Sequence, residues 1–173
     1  MRNFFLTTAR LGFSNWEEAD LDLAYSLWGE PLVTKYISST GIFTSEQIQA
    51  RLQLEIDNQA KHQVQYWPIF EKESFAHVGC CGFRPYNLDE GIYAIGFHLK
   101  STYWGVGYAR EAAEAVIAYA PRTLQAKQLF AGHNPNNQAS RNLLEKLGFV
   151  YWHDEFYEPT GLYHPSYLLN LIK

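Results

Sequence analysis

Little in this chain of 173 residues is of the kind that staples, anchors or metallates a protein. Its two cysteines, Cys80 and Cys81, are adjacent in an apolar segment. In a strand their side chains point to opposite faces, so no structural disulfide is expected, and a reducing cytoplasm suits the chain. The six histidines (His62, His77, His98, His133, His153 and His164) are scattered, with no pair at i, i+3 or i+4. That spacing does not suggest a metal site. No apolar run approaches the roughly 20 residues needed to cross a bilayer, and Phe4-Phe5-Leu6 is too short for the core of a signal peptide. No membrane partner is expected. Charged residues make up only 18% of the chain and the net charge is −4, which argues against a nucleic-acid surface while permitting a cationic acceptor. No G-x-S-x-G elbow occurs, so a serine hydrolase is not indicated. Repeats, low-complexity tracts and linkers are also missing. With 47% hydrophobic residues, the composition suggests one globular domain over residues 1–173.

What is present is an alternation of strand and helix patterns. Ala9 to Phe13 reads as a first strand, and Asp20 to Trp28 as a helix ending near Gly29-Glu30-Pro31. Ser45 to Ala60 reads as a second helix, capped by Thr44 or Ser45, with Ile48, Leu52 and Ile56 spaced by four. Val64 to Glu71 and Ala76 to Phe83 form a hairpin about Lys72-Glu73-Ser74. After the turn-rich Asn87 to Gly91 comes a strand from Ile92 to Leu99, then a helix from Gly107 to Ala120 that Pro121 should stop. Gln128 to Gly132 is a strand, Asn137 to Leu147 a fourth helix, and Phe149 to Phe156 and Tyr163 to Leu171 the last strands. That makes an α/β domain.

Two segments carry chemistry. In Thr102-Tyr103-Trp104-Gly105-Val106-Gly107-Tyr108-Ala109-Arg110-Glu111-Ala112, two glycines sit where a strand gives way to an Ala-rich helix. Glycines there let the backbone approach a ligand closely, and the first amides of a helix have no internal partner. A phosphate group suits that place. The P-loop of nucleotide hydrolases is excluded because Tyr108-Ala109 stands where Lys-Ser/Thr is required. The dinucleotide fingerprint is excluded because Arg110 replaces its third glycine and no acid sits near Lys127. The second segment, Asn137-Gln138-Ala139-Ser140-Arg141-Asn142-Leu143-Leu144-Glu145-Lys146-Leu147-Gly148-Phe149, is an amphipathic helix with a glycine stop, which Asn136 or Asn137 can cap.

Together these motifs resemble the GCN5-related N-acetyltransferase (GNAT) superfamily, in particular its branch of ribosomal-protein N-terminal acetyltransferase-like proteins. Thr8-Ala9-Arg10-Leu11, Asp20 and Pro31-Leu32-Val33-Thr34-Lys35-Tyr36 also fit that branch, so the resemblance spans nearly the whole chain. It implies a mixed, mostly antiparallel sheet of about seven strands with about four flanking helices, splayed between the fourth and fifth strands, Ile92 to Leu99 and Gln128 to Gly132. A pantetheine arm would lie in the splay. Acetyl-CoA is the implied co-substrate, with no metal.

Phe97 and Leu99 would contact the arm through their main chains. Gly105, Val106, Gly107, Tyr108 and Ala109 would hold the pyrophosphate, with Arg110 and Lys100 near enough to help. Asn137 would hold the pantetheine, and Ser140 would both bind and serve the sulfur of the leaving thiolate as the catalytic candidate. The acceptor would be an amine: a protein N-terminus, with a ribosomal protein the case the same resemblance implies, or a small amine such as a polyamine, amino acid or antibiotic. A non-catalytic acyl-CoA sensor is the third reading, and a homodimer is compatible with all of them. The sensor reading rests on Ala94, which stands just before Ile95-Gly96-Phe97 where the branch often has a glutamate. Asp89, Glu90, His98 or water are left as bases. The acceptor pocket is expected along Trp28 to Ile42, Pro85 to Gly91 and Tyr157 to His164. Tyr36, Tyr86, Tyr157 and Tyr163 there, with Asp89, Glu90 and Glu158, would suit an ammonium group.

Overall fold

The computed structural model describes residues 2–172. Eight strands form one sheet in the order β1-β2-β3-β4-β5-β6-β8-β7. They are β1 (Leu6–Thr7), β2 (Leu11–Phe13), β3 (Tyr66–Glu71), β4 (His77–Asn87), β5 (Ile92–Leu99), β6 (Gln128–Gly132), β7 (Val150–Tyr157) and β8 (Leu162–Asn170). Five helices accompany them: α1 (Leu21–Trp28), α2 (Pro31–Thr34), α3 (Ser45–His62), α4 (Tyr108–Thr123) and α5 (Gln138–Lys146). Every strand pair is antiparallel except β5 and β6, which α4 connects.

The expected splayed α/β sheet is present, with one more strand and one more helix than the sequence suggests. The N-terminal strand is in fact a hairpin, β1–β2, turning at residues 8–10. The extra helix is α2, one turn long, with Pro31 at its first position, where a missing N–H costs nothing. Pro121 does not stop α4, which continues to Thr123. A proline so near a helix end removes a single hydrogen bond, and the Leu124 and Ala126 amides still close on the Ala120 carbonyl. Leu88–Glu90 forms a 3-10 turn whose N-cap, Asn87, accepts from the Glu90 amide.

The sheet has two apolar faces. On one, Phe83, Ile95, Leu99 and Leu129 pack with Ala112, Ala113, Val116 and Ala120 of α4 and Leu144 of α5. The small side chains of α4 let it lie close against the strands. On the other face, Trp16, Ala24, Leu27, Trp28, Ile48, Leu52, Tyr66 and Cys80 form a second cluster under α1 and α3. Cys80 and Cys81 are both free and buried, one in each cluster.

α3 is also held to the sheet by charge. It starts in a capping box between Thr44 and Gln47 and carries Glu55 into the interior with no exposed surface. Glu55 meets the Arg84 guanidinium of β4 at 2.9 Å and accepts the Tyr66 amide of β3, while its own carbonyl accepts from the Gln65 side chain. Removing one partner of a buried ion pair leaves the other charge uncompensated. Glu55→Ala is therefore expected to destabilise the fold by about 3–5 kcal/mol. Urea unfolding of the variant against the parent would measure it, and a loss under about 1 kcal/mol would mean that Arg84 finds a replacement partner.

Candidate active site

β5 and β6 pair only over Ile92↔Gln128, Tyr93↔Leu129 and Ala94↔Phe130. Beyond Ala94 they part, although β5 stays paired to β4 as far as Leu99 and β6 to β8 as far as Gly132. Each therefore has one satisfied edge and one bare edge facing the gap. The Lys100 amide bonds the Val78 carbonyl, so even positions of β5 address β4, and Ile95, Phe97 and Leu99 turn their backbone groups toward the gap. The Leu99 carbonyl is taken by the Trp104 indole N–H at 2.9 Å. Phe97 keeps both its N–H and its C=O without a strand partner.

The gap opens into a cleft of about 710 Å³. Leu99, Gly105, Gly107, Tyr108 and Ala109 line one end, with Asn137 and Ser140 of α5 beside them. The amides of residues 105–110 have no hydrogen-bond partner among the described residues, and the first closed helical bond is Glu111 N–H to Gly107 C=O. Gly105 and Gly107 have φ of 79° and 86°, left-handed values that other residues reach only under strain. Nothing lies within 4 Å of where a Gly105 side chain would begin. A run of bare amides over open space at a helix N-terminus fits a diphosphate in number, charge and shape.

Arg10, from the β1–β2 hairpin, aims this loop. Its guanidinium donates to the Val106 carbonyl at 2.9 Å and to Glu111 of α4 at 2.7 Å, and lies over the Tyr108 ring. Val106 C=O and Gly107 N–H belong to one trans peptide and point opposite ways, so a carbonyl held by Arg10 turns that amide away from Arg10. Burial alone would raise the Glu111 pKa, but hydrogen bonds from Thr8 and Arg10 and the Arg10 charge hold the carboxyl below its usual range. A depressed carboxyl stabilises above its unfolded pKa, so the latch is intact at neutral pH and fails as acid titrates the folded value.

Asn137 does cap α5: its Oδ1 accepts the Ser140 amide at 3.2 Å. Its Nδ2 and the Ser140 hydroxyl have no partner among the described residues, and both residues line the cleft. The Val106 side chain is exposed and outside the lining, so only its peptide serves the loop. Arg110 pairs with Glu114 at 2.8 Å on the open face of α4, and neither it nor Lys100 lines the cleft.

At the other end Tyr36, Tyr86 and Tyr157 are present as expected, while Tyr163, Asp89, Glu90 and Glu158 lie outside the lining. Among the described residues, the only carboxylate that lines the cleft is Glu155, half exposed and bonded by the Tyr86 hydroxyl at 2.9 Å. His98 lines the floor. Its Nδ1 accepts the Trp28 indole N–H at 3.1 Å, which puts its hydrogen on Nε2 and makes that atom a donor. Burial, then Arg51 and Arg84, holds it well below the usual imidazole range. It is a neutral ring with its lone pair engaged and is poorly placed as a base.

His164 is buried in the wall with its Nε2 2.7 Å from the Thr160 hydroxyl, and burial and His133 lower its pKa. Gly96 is required at the floor, because a Cβ there would overlap the Tyr66 ring. The sequence reading misses Arg51, Tyr66 and Arg84, all of which line this end. One signal was available for them: Ile48, Arg51, Leu52 and Glu55 share the face of α3 that turns inward, so two charges stand in its core register.

The profile of the acetyltransferase (GNAT) domain family matches residues 10–150. Among relatives, an uncharacterized N-acetyltransferase p20 of Bacillus licheniformis is 32% identical over 144 residues, covering 83% of this chain and 81% of its own. The ribosomal protein uS5-alanine N-acetyltransferase of Escherichia coli is 28% identical over 104 residues, 58% of this chain and 53% of its own. Among solved structures, a GNAT-family acetyltransferase from Bacillus anthracis superposes with a TM-score of 0.78 at 23% identity, covering 95% of this chain and 97% of its own. A ribosomal L7/L12 alpha-N-protein acetyltransferase in complex with coenzyme A gives 0.79 at 16% identity, covering 97% and 98%.

If Arg10 aims the loop, Arg10→Ala should weaken coenzyme A binding by about tenfold, the worth of one charge-assisted hydrogen bond. Isothermal calorimetry would read this directly, and unchanged affinity would show that the loop holds its shape unaided.

Proposed function

Since the chain belongs to the acetyltransferase (GNAT) family and is an N-acetyltransferase, we propose that residues 1–173 act as one acetyl-CoA-dependent domain that transfers acetyl directly to an α-amino group. The observation that carries this reading is a pair of bare backbone sets along one cleft, the strand edge at Phe97 and the amides of residues 105–110. Pantetheine is the amide-bearing arm that bare strand edges can pair with, and the diphosphate beyond it suits the helix N-terminus. Gly105, Val106, Gly107, Tyr108, Ala109 and Arg110 contribute backbone amides, and Phe97 and Leu99 the strand edge. Asn137 offers its free Nδ2.

In the reaction the neutral amine attacks the thioester carbonyl. The Phe97 N–H faces the gap and supplies a donor to the developing oxyanion, an interaction often worth about 3 kcal/mol. The sulfur leaves as thiolate, and the Ser140 hydroxyl, unpartnered on the first turn of α5, donates a hydrogen bond to it. An α-amine has a pKa near 8, against about 10.4 for an alkylamine. About one tenth of it is therefore already neutral at pH 7, and it can lose its proton to water without a strong base. A site with Ala94, which carries no proton acceptor, suits that acceptor. The protein N-terminus is supported by the similarity to the uS5-alanine enzyme, and the small amine by a cleft of only about 710 Å³.

Two measurements test this. Thiol release from acetyl-CoA, screened with peptide N-termini and small amines, should appear with α-amines. Ser140→Ala should lower kcat by about ten- to hundredfold while leaving coenzyme A affinity within about twofold. An unaffected rate removes Ser140 from the chemistry. The kcat/KM profile should rise with pH to a limb that follows the pKa of whichever amine is used. A limb fixed near 6 for every acceptor would instead reveal a histidine or carboxylate base.

A further inference from the structure

The far end of the cleft carries the wrong charge for a plain cation. Its lining includes two guanidinium groups, Arg51 of α3 and Arg84 of β4. Beneath them lies one carboxylate, Glu55, which is spoken for by Arg84. Glu55 does not line the cleft. The other titratable groups packed there add no negative charge. Burial raises Tyr66 and pushes Cys80 up to about 12, so both stay protonated, and His98 is neutral. Glu155 stands across the cleft, bound by Tyr86. The local sum at the floor is one uncompensated positive charge.

Arg51 is the residue with no partner. It makes no ion pair and no hydrogen bond among the described residues, and its Nε is fully enclosed and unsatisfied. Its guanidinium sits between the Trp28 and Phe43 rings, at 5.3 and 5.5 Å from their centroids. The Arg84 Nε is likewise buried and unpartnered, and its guanidinium lies 4.4 Å over the Tyr66 ring. Burial and then the nearby Arg84 lower the Arg51 pKa, against a smaller opposing pull from Glu55. Two guanidinium groups that lie against aromatic rings and line one cavity, with one Arg84 donor given to Glu55, form an arrangement that can receive a carboxylate.

Position ties this to the reaction. Arg84 lies directly across from Ala94 in the β4–β5 register, and its guanidinium covers Tyr66, whose ring underlies Gly96. Phe97, with the bare amide, is the next residue. Ala94 and Phe97 are three strand residues apart, on the order of 10 Å, so one small molecule can touch both ends.

We propose that the acceptor carries an anionic group, a carboxylate in its simplest form, which Arg51 and Arg84 seat while the amine on the same molecule faces the thioester. This rests on the acetyltransferase reading and narrows it from any α-amine to one with a carboxylate within about one amino acid of it. A polyamine is disfavoured, because its second ammonium would meet Arg51. The carboxylate can be that of a free amino acid or the side chain of an acidic residue near a peptide N-terminus.

Binding of acceptors to the protein loaded with coenzyme A, measured by calorimetry, tests this without requiring turnover. The probes are the free amino acids against their amides, and N-terminal dipeptide amides with Glu against those with Gln in second place. The acid should bind at least tenfold more tightly than its amide in one of the two arms, and the arm that responds identifies the source of the carboxylate. Arg51→Gln should abolish that preference with coenzyme A affinity unchanged, and Arg51→Lys should restore part of it. Equal binding of acid and amide in both arms, or a preference that survives Arg51→Gln, overturns the proposal and leaves Arg51 as an aromatic-packed strut. The parent protein alone decides the first point if the variants fold poorly. Absence of thiol release with every amine would count against the acetyltransferase reading instead, whatever the binding data show.

Discussion

The parting of β5 from β6 after Ala94 is the constraint from which the site follows. A sheet interior normally leaves no backbone group unpaired, because an orphaned amide in a dry place costs about as much as a lost hydrogen bond. Here two strands are each locked on their outer edges, β5 to β4 and β6 to β8, and cannot swing to close the gap. The rest of the fold holds that opening. α4 packs its alanines against β4 and β5 on one face, and α1 and α3 cover the other. Beyond the strand the amides of Lys100, Ser101, Tyr103 and Trp104 are bonded, and the loop from Gly105 to Ala109 presents a second bare set at a helix N-terminus, at the same end of the cleft.

The outer shell of this opening is held by charge as much as by apolar packing. Arg10 and Glu111 tie the N-terminal hairpin to the first turn of α4 and fix the orientation of a single peptide plane. Glu55 and Arg84 do the same between α3 and the sheet, deep in the second cluster. The two pairs differ in consequence. The first is complete, with carboxylate, guanidinium and carbonyl all satisfied. The second leaves spare donors on Arg84 and an entirely unpaired Arg51 beside it, and those donors give the far end of the cleft its sign.

The near end of the cleft could be read from residue order, since the two glycines, the alanine-rich helix and the Asn137 to Phe149 segment are each local patterns whose geometry follows from neighbouring residues. The far end is legible only in part. Tyr36, Tyr86 and Tyr157 line it as expected, but Asp89, Glu90 and Glu158 fall outside the lining, whereas the residues inside include Arg51 in mid-helix and Arg84 in mid-strand. They converge because Glu55 of α3 pairs with Arg84 of β4. His98 shows the same limit: its presence on β5 was plain, but its loss as a base depends on Trp28, 70 residues away.

Element type, the two-glycine turn, the capped helix after it and the family were written in short-range order, because backbone propensity, glycine freedom and helix capping act over a few residues. Strand count at the N-terminus, the continuation of α4 past Pro121, the tautomer of His98 and the net charge facing the acceptor came from long-range packing. Each depends on what a distant segment presents, and neither periodicity nor spacing reports the electrostatic partner of a buried side chain.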